Sequence, residues 1–370
     1  MSSSSASALF QPLPVGAVNV QHRVVMAPLT RFRANKDHVH GELAKRYYDQ
    51  RASTPGTLIH GGFTNVPGIW NDAQIAGWKA VTDTVHAKGS FIFLQLWALG
   101  RAAMPAVLEL EGRFDLVGAS PIPYLPLASY APGAEAEPLV PRELTIPELK
   151  EYVQLYATAA KNAIQAGFDG VELHSANGYL LEQFLQPVTN ERTDEYGGSI
   201  ENRLRFPLEV IDAVVKAVGA ERTGVRISPW STFQGMGTKD PLSTFAAYVE
   251  RIRDAHPNFA YIHVTESRNL DDLKANGEPS QPRDFLRKIW GDRPYIAAGG
   301  FDRATANSTV EKDGGLVAFG RQFISNPDLP LRLKEGIALT PYNRSTFYIP
   351  EAAVGYVDYP FANEVTPLKA

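Results

Sequence analysis

Short apolar runs alternate along the chain with longer stretches in which apolar positions recur every three or four residues. The runs Val24–Leu29, Gly56–Gly61, Phe91–Trp97, Gly170–Ala176, Gly224–Pro229, Ala260–Glu266, Pro294–Gly300 and Leu316–Arg321 predict eight strands. Short, nearly continuous apolar runs are what strands covered on both faces require. The gaps between them carry helical patterns, most clearly from Thr145 to Gly167. There Thr-Ile-Pro-Glu forms a capping box with proline in the first turn, Leu149, Val153, Tyr156 and Ala160 repeat at helical spacing, and Gly167 stops the run. Ser199 begins a second helix through Val218, and Asn71 a third that ends near Gly89. Eightfold strand and helix alternation predicts an α/β fold: one domain over residues 1–370, a (β/α)8 TIM barrel. Leu13–Val20 reads as an N-terminal hairpin cap, and residues 1–9 as a flexible start. The Pro-, Gly- and Ala-rich segment 99–144 is a long loop excursion after strand 3, a lid or a wall of the substrate pocket.

Composition narrows the function classes. The 36 basic residues nearly balance 40 acidic ones, leaving a net charge of −4 with no block of like charge, so neither nucleic acid nor a membrane surface is an expected partner. The chain has no cysteine, which excludes disulfides, thiolate metal sites and cysteine nucleophiles, and redox chemistry would need a bound cofactor. No set of His, Asp and Glu has convincing metal spacing. The Ser/Ala-rich Met1–Phe10 lacks the pattern of a secretory signal, and no apolar run is long enough to span a bilayer. The simplest reading is a soluble, cytoplasmic protein whose partner is a small molecule, with monomer and homodimer both left open.

In barrels of this kind the active site lies at the C-terminal strand ends, and a phosphate is commonly held after strands seven and eight. Those ends read Ala298-Gly299-Gly300-Phe301-Asp302 and Phe319-Gly320-Arg321. Glycines admit backbone N–H groups to phosphate oxygens and an Arg fork can bind them; one Gly-Gly pair alone would be read as a turn, but two such loops at these two strands favour phosphate. Gln95 and Arg226 are polar residues inside strands and need partners. A flavin ring supplies them, with its pyrimidine edge on Gln95 and its N1–C2=O region on Arg226; an ion pair of Arg226 with Glu172 is an equal alternative. The fourth strand ends His174-Ser175-Ala176-Asn177-Gly178-Tyr179. His174 and Asn177 could donate to one substrate oxygen and the Tyr179 phenol could give up a proton, but on pattern alone a hydrogen-bonded histidine followed by an Asn-Gly turn is the stronger reading. His263 is read as structural. Paired carboxylates of a barrel hydrolase would fall on Glu172 and Glu266, which leave the glycine loops without a role.

Five segments, HRVVMAPLTRFR (His22–Arg33), FIFLQLWALGR (Phe91–Arg101), HSANGYLLEQF (His174–Phe184), RTDEYGGSIENR (Arg192–Arg203) and YVDYPF (Tyr356–Phe361), occur in one order. In them the chain resembles the Old Yellow Enzyme family of FMN-dependent ene-reductases, especially its fungal members, from about Leu9 to Phe361. The resemblance implies that Pro28, Leu29 and Thr30 contact the flavin, that Gln95 and Arg226 hold its ring, and that Gly299, Gly300, Gly320 and Arg321 hold its phosphate. It places the substrate-oxygen pair on His174 and Asn177, the proton donor on Tyr179, and pocket walls on Trp97, Phe233 and Tyr348. The implied reaction is ping-pong: NADPH, or less often NADH, reduces FMN, and an α,β-unsaturated aldehyde, ketone or nitroalkene then takes the same site. Reduction or isomerisation of an unsaturated aldehyde in a fungal alkaloid-type pathway is the nearest alternative, and a flavin-binding barrel with impaired turnover another. The chain departs from the family at His60-Gly61-Gly62-Phe63-Thr64, which is shorter than the usual loop after the second strand.

Overall fold

The computed structural model describes residues 7–61, 67–112, 114–124, 137–266 and 284–364. Part of the 99–144 excursion and residues Gly62–Thr64 of the shortened loop lie outside the described residues. The strands are β1 (Leu13–Val15), β2 (Val18–Val20), β3 (Val24–Met26), β4 (Leu58–Gly61), β5 (Phe91–Leu96), β6 (Val117–Gly118), β7 (Arg142–Glu143), β8 (Gly170–Ser175), β9 (Thr223–Ile227), β10 (Tyr261–Thr265), β11 (Tyr295–Ala298) and β12 (Leu316–Phe319). Eight of them form the closed barrel β3-β4-β5-β8-β9-β10-β11-β12, in which neighbours in the sheet follow one another in the chain. These are the eight runs that the apolar pattern predicts, shortened at one or both ends, except that β9 begins one residue earlier, at Thr223. The first strand stops at Met26, because Pro28 has no N–H to give a ladder. The last stops at Phe319, and Arg321 opens a short helix instead.

The helices are α1 (Glu42–Arg51), α2 (Asp72–His86), α3 (Pro105–Glu111), α4 (Ile146–Gln165), α5 (Leu180–Leu185), α6 (Ile200–Val218), α7 (Pro241–Ala255), α8 (Phe285–Trp290), α9 (Arg303–Asp313), α10 (Arg321–Ser325) and α11 (Leu329–Glu335). Their starts follow the capping chemistry in the sequence. Glu148 accepts the Thr145 N–H at 2.7 Å while its own N–H points back to the Thr145 hydroxyl at 3.4 Å. Asn71 and Ser199 accept the N–H groups of Gln74 and Asn202 at the starts of α2 and α6.

The described residues sort into two compact units, one built from Met1–Gln95, Thr158–Glu172 and Pro294–Ala370, the other from Leu96–Ala157 and Leu173–Arg293. In the first, β11, β12, β3, β4 and β5 run parallel side by side. Every residue of β3, β11 and β12 is buried, which explains their unbroken apolar sequence. The predicted hairpin is β1 and β2, antiparallel with Val15 opposite Val18. The expected flexible start does not extend to Leu9, which is fully buried in a 3-10 turn whose carbonyl accepts the Arg23 N–H. Three buried arginines tie the C-terminal stretch down: Arg31 to Phe347 O, Arg33 to Thr346 O and Ala352 O, and Arg51 to Ile324 O and Tyr356 O. Carbonyls rather than carboxylates satisfy these charges, and Tyr356 stacks on Tyr47 at 4.1 Å to close the cluster. In the second unit β9 and β10 pair in parallel, with Arg226 opposite His263.

Candidate active site

In the first unit, the register Ala298↔Ala318 sets the ends of β11 and β12 side by side, so Gly299-Gly300 and Gly320-Arg321 emerge as neighbours. Gly300 has φ +82° with open space where a Cβ would stand, and at Gly320 a Cβ would meet the Leu29 side chain at 3.3 Å. Leu29 reaches Gly320 because β12 also pairs with β3, with Phe319 opposite Met26. The Ala27 N–H then bonds Phe319 O at 3.0 Å, and Pro28-Leu29-Thr30 leaves the sheet half-buried beside the glycine turn. Arg321 is exposed and donates to the Tyr342 hydroxyl at 3.1 Å. Open space at Gly300, with a guanidinium oriented by Tyr342 at the neighbouring strand end, fits a phosphate monoester. From Tyr342 the aromatic rings continue through Phe347 (5.5 Å) and Tyr348 (6.1 Å) to Phe32 (5.6 Å), leaving Tyr348 43% exposed.

Gln95, near the end of β5, is buried and its amide donates to Glu172 at 2.7 Å. That bond fixes the plane of the amide and leaves its carbonyl oxygen to accept from a cofactor N–H. Glu172 is thereby engaged by Gln95 in the heart of β8, which suits a support better than the hydrolytic acid considered above.

In the second unit the fourth barrel strand runs into the turn Ala176-Asn177-Gly178, and Tyr179 is the N-cap of α5. The Tyr179 ring is buried edge-on against Trp97 (4.4 Å, 82°) and His174 (4.9 Å, 69°). Three residues separated by up to 82 positions in sequence are thus gathered around one phenol. Asn177 and Gly178 both have positive φ, +57° and +78°. Gly178 must be glycine, since a Cβ would stand 2.7 Å from that of Gln234. Side chains hold all four backbone polar groups of this pair. The Asn177 N–H donates to Ser228 Oγ (2.8 Å) and the Gly178 N–H to Glu182 Oε2 (2.6 Å). Asn177 O accepts from Gln234 (2.6 Å), and Gly178 O from Gln183 (2.8 Å). Gln234 also meets the Tyr124 hydroxyl, and its backbone carbonyl accepts from Arg101. Phe233 is 45% exposed beside it. Arg226 is half-buried in β9 between the fully buried Val225 and Ile227.

Sequence reasoning did not single out Glu182, Gln183, Ser228 or Gln234. A signal existed for the first two: a polar pair within the six-residue run Leu180–Leu185, every member of which is buried.

A closed parallel β/α barrel with glycine turns after its last two strands is a frame on which phosphate-bearing cofactors are commonly held, flavins among them. The chain belongs to the NADH:flavin oxidoreductase / NADH oxidase family, that of the Old Yellow Enzymes, whose model matches residues 8–340. It is 48% identical over 371 residues to chanoclavine-I aldehyde reductase fgaOx3 of Penicillium roqueforti, covering 96% of this chain and 97% of that one. It is 47% identical over 380 residues to the probable inactive dehydrogenase easA of Claviceps fusiformis, at 97% and 96% coverage. Among solved structures, morphinone reductase in complex with tetrahydroNAD is 40% identical with a TM-score of 0.84, covering 96% of this chain and 97% of that one. The chain is an NAD(P)H-dependent flavin oxidoreductase of the ene-reductase type, with FMN as its cofactor. Among the described residues no helix is long and apolar enough to cross a membrane, and no cluster of His, Asp and Glu could hold a metal.

Proposed function

We propose that this chain reduces the C=C bond of α,β-unsaturated aldehydes and related activated alkenes, with Tyr179 as the proton donor. The observation that carries this assignment is the seat of the Tyr179 phenol against His174 and Trp97, two residues beyond the constrained Asn177. Gly299, Gly300, Gly320 and Arg321 would hold the FMN phosphate. Pro28, Leu29, Thr30, Gln95 and Arg226 would hold its ring, with Arg226 stabilising negative charge on the reduced pyrimidine. When bound and reduced by NADPH or NADH, FMN would supply the hydride for the β-carbon. His174 and Asn177 donate to the substrate oxygen and stabilise the enolate charge that develops there. Tyr179 then gives its proton to the α-carbon, which balances the two-electron reduction. Trp97, Phe233 and Tyr348 would supply apolar walls.

The similarity to a chanoclavine-I aldehyde reductase favours an aldehyde within this substrate class, and we place the protein in the cytoplasm as a monomer or homodimer. A flavin barrel without useful turnover is the second reading, favoured by the relative named probable inactive. One experiment separates them: anaerobic reduction of the flavoprotein by NADPH, then mixing with cyclohexenone, a cinnamaldehyde and a nitroalkene. Reoxidation of the flavin by the enal or enone supports the proposal. A flavin that stays reduced with all three refutes it.

A further inference from the structure

Glu182 lies in the first turn of α5, fully buried among Leu180, Leu181, Phe184 and Leu185. A carboxylate in such surroundings is costly unless donors surround it. It has three, all neutral: the Gly178 N–H at 2.6 Å, the Ser228 hydroxyl at 3.0 and 3.2 Å, and the Gln186 amide at 3.0 Å. Ser228, itself fully buried, passes the link on, because its Oγ accepts the Asn177 N–H at 2.8 Å. Both N–H groups of the left-handed pair therefore end on Glu182, one directly and one through a hydroxyl.

The bland account is an acid capping the start of a short helix. It explains the Gly178 bond but neither the complete burial nor the bridge through Ser228 to a residue outside the helix. A non-glycine residue in the left-handed region is strained, less so for asparagine, and relaxes unless its surroundings fix it. The Cα–Cβ direction of Asn177 follows from its backbone conformation, so whatever fixes the turn sets the point from which its amide reaches out. Burial pushes the Glu182 carboxyl up to about 8, while its three donors pull the other way.

We propose that Glu182 is a positioning residue which, through Gly178 and by way of Ser228, holds Asn177 in the geometry that binds the substrate oxygen. The inference rests on the assignment of Asn177 to the oxyanion site made above.

The test uses the FMN-loaded protein and a phenol, 4-hydroxybenzaldehyde, whose phenolate stands in for the substrate oxygen and gives a charge-transfer band with oxidised flavin. Asn177→Ala serves as the reference and should weaken phenol binding. Glu182→Leu and Ser228→Ala should each weaken it roughly 10- to 100-fold, the scale by which hydrogen-bond partners of metal-ligating side chains control their sites. FMN content and the far-ultraviolet circular dichroism should stay unchanged. Glu182→Gln keeps the shape and an acceptor and should recover most of the affinity. Undiminished phenol binding in Ser228→Ala and Glu182→Leu, with a loss in Asn177→Ala, would overturn the positioning role while leaving the site in place. Undiminished binding in Asn177→Ala as well would overturn the site assignment itself. If Glu182→Leu fails to fold, Ser228→Ala decides the matter, because it removes only the bridge.

Discussion

Replacing Tyr179 by Phe removes the proposed acid and little else. The residue is the N-cap of α5, but its side chain makes no capping hydrogen bond, so the helix start does not depend on the hydroxyl. Its ring makes two edge-on contacts, with Trp97 at 4.4 Å and His174 at 4.9 Å. Phenylalanine keeps both, each worth about 0.5–1.5 kcal/mol beyond burial. The stability change should therefore stay within about 1.5 kcal/mol, the net worth of one hydrogen bond. Flavin content and reduction by NADPH should be nearly untouched. The oxidative half-reaction with an enone should slow about 10²–10⁴-fold, or roughly 3–5 kcal/mol in the barrier, because hydride addition then lacks a placed acid for the α-carbon. A nitroalkene serves as internal control, since its nitronate product is a stable anion that can leave unprotonated. Stopped-flow flavin reoxidation with both oxidants resolves the difference. Equal slowing with both would mean that Tyr179 positions the substrate; no slowing with either would remove it from the mechanism.

Three further outcomes follow from the geometry. Gly300→Val forces a β-branched residue to φ +82° at the phosphate cradle and should weaken FMN binding by about 1–3 kcal/mol; full retention of FMN on dilution, followed by flavin fluorescence, would move the phosphate elsewhere. Arg226→Met should leave a folded protein that holds FMN poorly or is reduced slowly; unchanged flavin content and reduction rate would return Arg226 to a structural role. Burial lowers the pKa of His22 from 6.5 to about 4 and that of His40 from 6.5 to about 3, so both stay neutral in the fold. Below pH 6.5 the unfolded chain binds more protons, and stability that is complete above that value is lost progressively as pH falls toward 4 and 3. The loss is on the order of 1.4 kcal/mol per pH unit for each histidine. Urea midpoints at pH 7 and 5 should show it, and His40→Phe, which can keep the edge contact to Trp78, should flatten the profile. An identical pH dependence in the variant would exclude His40 as a source.

The parts of this molecule that local pattern could reveal are those whose physical cause is local. Strands covered on both faces must be apolar throughout, so β3, β11 and β12 announce themselves. Caps announce themselves too, because Thr145 and Glu148, or Ser199 and the Asn202 N–H, are three residues apart. The clamp on the C-terminal stretch is different in kind. Arg31 and Arg33 meet carbonyls more than 300 residues away, and no periodicity records a carbonyl as the partner of an arginine.

The candidate site divides along the same line. Glycines after the last two strands are informative because fold geometry says what a strand end can hold. Tyr179, His174 and Trp97 were suggestive separately, and the edge-on packing that joins them required the fold. Glu182 shows why a polar residue in a short helix is so easily passed over. In a solvent-facing turn its carboxylate would be unremarked, and only burial converts it into a demand for donors. Those donors come from Gly178, Gln186 and Ser228, the last brought in by a different strand end. The useful sequence signal is therefore a pair, Glu182 and Gln183, inside a run too apolar to face water. Such a pair must be hydrogen-bonded inward, and what lies inward at this point of the chain is the turn that carries Asn177.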